Sequence, residues 1–361
     1  MTHVVNVSLK QNPYPIYIGT GILEQFASVL AKHRSAGQIA VISSQNILDL
    51  WGKQFLSNFS DGQQVLVLTV PDGEQAKSQQ QVWELYTRLL ENRFERRSLI
   101  VALGGGVVGD LAGFVAATYL RGVDFIQVPT TLLAQVDSSI GGKTGINHPL
   151  GKNLIGAFKQ PLLVFSDVAV LQTLPDAELR CGLGEVIKYG FILNRGLFSY
   201  LEENLDKALQ HDLPVLQELV RISAQEKADV VAKDEKEQNL RMILNFGHTF
   251  GHALEAEFGF SGLKHGEAVI LGMQCALYYN YLRGRMAPEE FDRGMALLKR
   301  VPVAFERSKL NPEKLVERMA VDKKVKNQQV RLILVDRIGS YRIAEADSRQ
   351  ALLEAFDILK E

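Results

Sequence analysis

Leu99-Ile-Val-Ala-Leu103, Gly104-Gly105-Gly106-Val107-Val108-Gly109-Asp110 and Leu111-Ala-Gly-Phe-Val-Ala-Ala117 follow one another without a break. A five-residue apolar run stopped by glycine reads as a buried strand, and the small apolar stretch after it reads as a helix. Between them, glycines allow close backbone approach and positive φ angles. A strand, a glycine loop and a helix start also place backbone N–H groups and the positive helix end where a pyrophosphate can sit. The run satisfies Gly-x-Gly-x-x-Gly, but it falls near residue 100 and not at a first strand-to-helix turn. A tight turn without a ligand therefore stays open as the simpler reading.

Working outward, Val4–Leu9, Ile39–Ile42, Val65–Leu68, Phe125–Val128 and Leu162–Phe165 are further strand-like runs, with helical stretches such as Gln80–Asn92 between them. That alternation predicts βαβ units around a mostly parallel, Rossmann-like sheet, which binds ligands at the carboxyl ends of its strands. Polar groups stand at those ends. Asp72-Gly73-Glu74-Gln75-Ala76-Lys77 closes the strand before the glycine loop, and Pro129-Thr130-Thr131 closes the one after it. The stretch Asp137–Thr144 continues to Gly151-Lys152-Asn153 and carries Lys143 and Lys152 on a glycine-rich backbone. Its Gly-Gly-Lys-Thr lacks P-loop spacing, which excludes an NTPase reading, while a solvated loop stays open.

From about Pro175 the pattern becomes helical, over 176–210, 214–239, 246–257, 266–283, 288–300 and 312–320, with one hairpin-like pair at 329–335 and 338–343. The expected organisation is an α/β domain over residues 1–174 and a mainly helical domain over 175–361, with an active site in the cleft between them. A chain of 361 residues also fits two cores better than one.

Three of the seven histidines fall in Asn245-Phe-Gly247-His248-Thr-Phe-Gly251-His252-Ala-Leu-Glu255 and Lys264-His265-Gly-Glu267. His248 and His252 are four apart and share a helix face, so spacing alone offers them as paired metal ligands. A third ligand is typically a carboxylate, and composition does not choose among Glu185, Glu255 and Glu267. Glu185 and Lys188, three apart in Gly184-Glu-Val-Ile-Lys-Tyr-Gly190, would on their own make a surface ion pair. Gly247 and Gly251 would let the histidine helix approach another backbone closely.

Net charge is −1, so bulk attraction to nucleic acid or a membrane surface is not expected, and any anionic substrate must meet locally clustered cations. Cys181 and Cys275 give no disulfide framework and no zinc spacing, which suits a reducing compartment. No apolar run spans a bilayer and no signal segment is evident, so a cytoplasmic protein is expected.

Taken in order, Asp72–Lys77, Gly104–Asp110, Pro129–Ser139, Gly141–Asn147, Gly151–Asn153, Gly184–Gly190, Asn245–His252, His265–Glu267 and Asp322–Lys324 resemble the 3-dehydroquinate synthase family of sugar phosphate cyclases. The resemblance implies that Glu185, His248 and His265 hold a zinc or cobalt ion while His252 faces the substrate. It implies NAD contacts from Asp72, Gly73, Glu74, Gln75, Ala76, Lys77, Gly106, Val107, Val108, Gly109, Asp110, Thr130, Thr131, Val170, Leu171, Gln172 and Thr173, with Lys143 and Lys152 at the cofactor–substrate junction. The implied substrate is a seven-carbon sugar acid phosphate. It is transiently oxidised by NAD, loses phosphate, is re-reduced, and closes by an intramolecular aldol step. Lys227, Arg241 and Asn245 are then expected at its carboxylate, and Lys143, Asn153, His252 and Lys323 at its phosphate. Lys188 would orient ring hydroxyls, Asp137 would shuttle protons through a water, and Arg121 would reach the neighbouring site of a homodimer.

Two positions depart from the family pattern. In Ser43-Ser44-Gln45-Asn46 only Asn46 could meet an adenosine ribose, and Gly184 replaces a common alanine, a change expected to be harmless. The nearest rivals are a related cyclase whose substrate lacks the carboxylate, a metal-dependent NAD alcohol dehydrogenase of similar fold, and a silent protein using zinc as a staple.

Overall fold

The computed structural model describes residues 2–258, 263–322 and 330–360. By internal contacts the chain forms two units, Met1–Leu174 with Leu213–Glu237, and Pro175–Asp212 with Gln238–Glu361. The helix Leu213–Lys233 corrects the simple division at 174/175. It packs on the first two strands and on the turns Ala134–Ser138 and Val168–Thr173, and so belongs to the first unit. Its apolar side is complementary to a sheet edge that composition along the chain does not reveal.

The first unit is built on seven strands, β1 (His3–Val7), β2 (Tyr14–Gly19), β3 (Gln38–Ser44), β4 (Gln64–Val70), β5 (Leu99–Gly104), β6 (Asp124–Pro129) and a last strand, Val164–Asp167. The sheet order is β1, β2, Val164–Asp167, β6, β5, β3, β4; only β1 with β2 is antiparallel. Every residue of β5 is buried. Leu99, Val101 and Leu103 enter one core with Phe26, Phe55 and Phe165, while Ile100 and Ala102 enter the other with Leu111 and Val115. Burial on both faces is why β5 reads as a continuous apolar run and not as an alternation. Burying each such large apolar side chain stabilises by roughly 1.5–3 kcal/mol.

Chain order explains the unusual position of the glycine loop. After β3 the sheet grows outward to β4, and the chain then crosses back to place β5 on the other side of β3. The β3/β5 junction is therefore the point at which strand order reverses, where open α/β sheets bind ligands. The glycine loop ends the strand on that junction even though it is not the first βα turn.

Lys143 and Gly151–Asn153 of the glycine-rich stretch, for which a solvated loop stayed open, lie in an antiparallel hairpin, Lys143–His148 with Gly151–Phe158. Gly145 and Gly156 face each other so closely that a Cβ would lie 2.7 Å from the Ile155 carbonyl or 2.4 Å from that of Thr144. Glycine here serves strand contact, not flexibility.

In the second unit the predicted 176–210 helix is two, Asp176–Ile192 and Arg195–Leu209. Asn194 breaks it by accepting the Leu197 N–H at the new start, as N-cap residues do. The helix His265–Tyr281 is buried along almost its whole length, and Asn280 near its end donates to the Val335 carbonyl and Asp336. That anchors the short hairpin Arg331–Leu334 with Arg342–Glu345; residue 329 of the predicted strand lies outside the described residues. Among the described residues no helix is long and apolar enough to cross a membrane.

Candidate functional site

Three helices of the second unit converge because glycines remove the side chains that would separate them. A Cβ on Gly266 would lie 2.0 Å from the Cys181 carbonyl, one on Gly272 would lie 2.1 Å from that of Gly247, and one on Gly251 would lie 2.9 Å from that of Ala268. Backbone contact of this kind brings His248–Phe258 and Asp176–Ile192 against His265–Tyr281, as the spacing of Gly247 and Gly251 predicts for the histidine helix. At Gly184 a Cβ would stand 2.7 Å from the Gly266 carbonyl, so the glycine present suits this packing and an alanine would crowd it. Gly184→Ala should cost about 1–3 kcal/mol and weaken metal binding, as read by thermal unfolding and cobalt titration.

What converges is Glu185, His248 and His265, whose candidate ligand atoms all lie within 4.8 Å of one another. Glu185 is 1% exposed, and its Oε2 accepts a hydrogen bond from Lys188 Nζ. The Glu185–Lys188 pair is thus deeply buried, not on the surface, because helix packing covers a face that looks solvated in isolation. Glu185 Oε1 is buried with no hydrogen-bond donor. It lies 3.5 Å from His248 Nε2 and 3.7 Å from His265 Nε2. The Nδ1 atom of His248 stands 3.2 Å from the Phe246 carbonyl, which can only accept, so Nε2 carries the lone pair. Burial first, then the charges of Lys188, His265 and His252, hold His248 well below the ordinary histidine range. For His265 burial works the same way, but the Glu255 hydrogen bond and the Glu185 and Glu255 charges outweigh it and leave its pKa raised.

A buried carboxylate oxygen facing the lone pair of an imidazole is an unfavourable arrangement, of order several kcal/mol, unless a cation sits among them. Two imidazoles and a carboxylate are also the donor set of open catalytic zinc sites. The residues fit a divalent metal. His252 is outside this group although its ring centroid is 5.4 Å from that of His248 and 5.8 Å from that of His265. Of the three carboxylates left open by composition, Glu185 joins the group, Glu255 bonds to His265, and Glu267 accepts from Arg180 and from the Lys264 N–H. Arg241 is buried and Asn245 exposed on the Leu240–Asn245 turn of the same unit, while Lys323 lies outside the described residues.

The first unit holds the second set. Helix Gly106–Thr118 starts at Gly105 with no side-chain cap, leaving its first N–H groups for a ligand. A Cβ on Gly105 would lie 2.9 Å from Thr131, and one on Gly106 would lie 2.8 Å from Ser138 Oγ. Beside this cradle the hydroxyls of Thr130 and Ser138 are buried without partners. Such a shape, with orphaned hydroxyls and uncapped amides, fits the pyrophosphate of a dinucleotide. Val108 and Gly109 are buried, as are Val170 and Leu171; Gln172 and Thr173 are exposed, and Thr173 accepts from Trp51. Ser43 donates to the Leu103 carbonyl, which leaves the exposed Asn46 as the group at the end of β3.

Lys77 is buried and donates to Asp110 at 2.7 Å and to Asn153. Its carbonyl accepts from the Asn147 N–H, and the Asn147 side chain bridges Glu74 and the Asn153 N–H. Asp110 is pushed up by burial, with Lys77 pulling against it. This network ties Asp72–Lys77 to the hairpin. Asn147 was visible as part of a quoted motif, but its bridging role was not. Lys227, also buried, donates to the Asp137 carboxylate at 2.6 Å and to its carbonyl at 2.7 Å, and Lys143 pairs with Glu237. Two lysines expected at substrate anions therefore hold carboxylates here; nothing in the sequence pointed to Glu237. Lys152 is exposed, and Arg121 is exposed with φ +68°, between Leu120 at +48° and Gly122 at +118°.

Comparison with known proteins agrees in both halves. The family profile described as 3-dehydroquinate synthase N-terminal matches residues 67–181, and its C-terminal counterpart matches 182–325. The chain is 44% identical to the 3-dehydroquinate synthase of Nitrosomonas europaea over 96% of this chain and 94% of that protein. It is 45% identical to that of Pseudomonas aeruginosa over 97% and 95%. Among solved structures, 2-deoxy-scyllo-inosose synthase with carbaglucose-6-phosphate, NAD+ and Co2+ superposes with TM-score 0.87 at 26% identity, covering 99% of both chains. The 2-epi-5-epi-valiolone synthase of Streptomyces hygroscopicus with NAD+ and Zn2+ gives 0.86 at 26% identity, covering 98% of both. An iron-containing alcohol dehydrogenase shares the fold at TM-score 0.64 and 16% identity, covering 98% of both.

Proposed function

The chain belongs to the 3-dehydroquinate synthase family, and we propose that it converts 3-deoxy-D-arabino-heptulosonate 7-phosphate to 3-dehydroquinate and phosphate. The observation that carries this reading is the buried, donorless Glu185 Oε1 between two imidazole Nε2 atoms. When bound, NAD would accept and later return a hydride, and a zinc or cobalt ion at Glu185, His248 and His265 would supply Lewis acidity. No net oxidation results, so the enzyme acts as a phosphate-eliminating lyase.

The chain's own residues supply binding and proton transfer. Asp72–Lys77, Gly106–Asp110, Thr130, Thr131 and Val170–Thr173 hold the dinucleotide. Arg241, Asn245 and Lys227 meet the substrate carboxylate, and Lys143, Lys152, Asn153, His252 and Lys323 meet the phosphate. For Lys227 and Lys143 this requires sharing or exchanging Asp137 and Glu237 for a substrate anion, so substrate entry is coupled to opening of those pairs. Asp137, released in that exchange, can take a proton through a water. Lys188, held on Glu185, orients ring hydroxyls. Arg121, presented by a strained turn, reaches the site of a second copy in a homodimer. The proposed reading implies a cytoplasmic enzyme, which the free Cys181 and Cys275 suit.

Phosphate release from the seven-carbon substrate tests the reading. Release should require NAD and stop with a chelator, and no reduced nicotinamide should accumulate. Accumulation matching turnover would replace the cyclase by a dehydrogenase.

A further inference from the structure

The two histidines that face Glu185 are steadied from behind by different groups. His248 gives its Nδ1 to the Phe246 carbonyl at 3.2 Å, and His265 gives its Nδ1 to Glu255 Oε2 at 3.1 Å. Carbonyl and carboxylate oxygens accept only, so both rings carry the proton on Nδ1 and turn Nε2 toward Glu185 Oε1. A carbonyl fixes a tautomer and a ring orientation. A carboxylate does that and also raises the basicity of the ring as a ligand.

Glu255 is well placed to do so. It stands seven positions after His248 on the helix His248–Phe258, two turns along, and so on the same face as His248 and His252. Its side chain is 13% exposed, so solvent screens its charge only in part. One helix thus presents a ligand, a neighbour of the metal group, and the carboxylate that holds the ligand offered by the next helix.

We propose that Glu255 is a positioning residue of the metal centre, fixing His265 with Nε2 directed at the metal and strengthening that ligand with its charge. The proposal rests on the reading that Glu185, His248 and His265 hold a divalent metal. It is tested with cobalt(II) on metal-stripped protein, using chelator competition for affinity, the visible spectrum for coordination, and thermal unfolding of the metal-free proteins for folding.

Glu255→Ala should weaken cobalt binding about 10–100-fold and shift the visible bands. Glu255→Gln keeps an acceptor but no charge and should fall between. In a His265→Ala background the Glu255 effect should vanish, because it acts through that ring. Cobalt affinity in Glu255→Ala equal to the unmodified protein, or an undiminished effect without His265, would overturn the role. If His265→Ala itself binds cobalt normally, the metal reading falls and this proposal with it; if only the Glu255 variants are silent, the positioning role falls alone.

Discussion

His248→Ala is expected to leave the protein without its metal and to lower turnover by about 10³-fold or more, whereas His252→Ala keeps a full metal complement and loses about 10²–10⁴-fold in kcat. The two histidines share a helix face, so spacing treats them alike. The structure separates them. His248 Nε2 is 3.5 Å from Glu185 Oε1 in the compact donor group, and His252 is outside that group. Removing His248 leaves Glu185 and His265 as two ligands, too few for a tightly held zinc or cobalt. Removing His252 takes away an exposed imidazole suited to proton transfer and phosphate contact, with the three donors in place. Metal content and kcat of purified variants decide the matter. Equal metal loss in both would assign both rings to the metal.

The same contrast marks how far the sequence could be read. Strands β3, β5 and β6 were legible because a doubly buried parallel strand leaves an apolar run that no surface helix imitates, and the half-buried edge strand β4 by its β-branched run Val65–Leu68. The glycine loop was legible as a ligand cradle, while its location at the reversal point of strand order needed the crossing from β4 back to β5. Periodicity along one element shows which residues share a face; it does not show what another element brings to that face. For that reason His248 and His252 were offered as a pair and Glu185 only as one of three candidate carboxylates, while the set Glu185, His248 and His265 came with the family pattern. Likewise Lys188 looked like half of a surface pair until its helix was packed.

Glycine was read unevenly. Gly247 and Gly251 showed close helix approach by their spacing, whereas close strand contact at Gly145 and Gly156 did not show, because a glycine-rich stretch without its neighbours looks like a loop. The helix Leu213–Lys233 was misassigned for a related reason: its amphipathic spacing fits a helical bundle and a sheet edge equally well. Glu255 was one of the three carboxylates that composition left open as a metal ligand, but nothing along the sequence marked it as the partner of His265. Its bond to His265 joins two helices across the stretch 259–262, which lies outside the described residues.

Gly106→Val should raise the Kd for NAD by about 10²-fold or more, close to 3 kcal/mol, while cobalt affinity stays unchanged. The loss has two sources that can be told apart. A Cβ at position 106 would already stand 2.8 Å from Ser138 Oγ and 3.4 Å from Ser138 Cβ, so the branched side chain must displace Ser138 or the loop. It would also project from the first turn of an uncapped helix, the proposed seat of the pyrophosphate. Pairing Gly106→Val with Ser138→Ala removes the hydroxyl and leaves the valine in the path of the phosphates. If crowding against Ser138 sets the loss, the double variant recovers NAD binding; if pyrophosphate approach sets it, the double variant remains as weak as the single one. The second outcome is expected, because the hydroxyl is one atom that can rotate away, whereas the amides cannot follow a phosphate held off by two methyl groups. The proposed metal ligands all belong to the other unit, so a simultaneous fall in cobalt affinity would mean that the variant had disturbed more than the cradle and would count against this assignment.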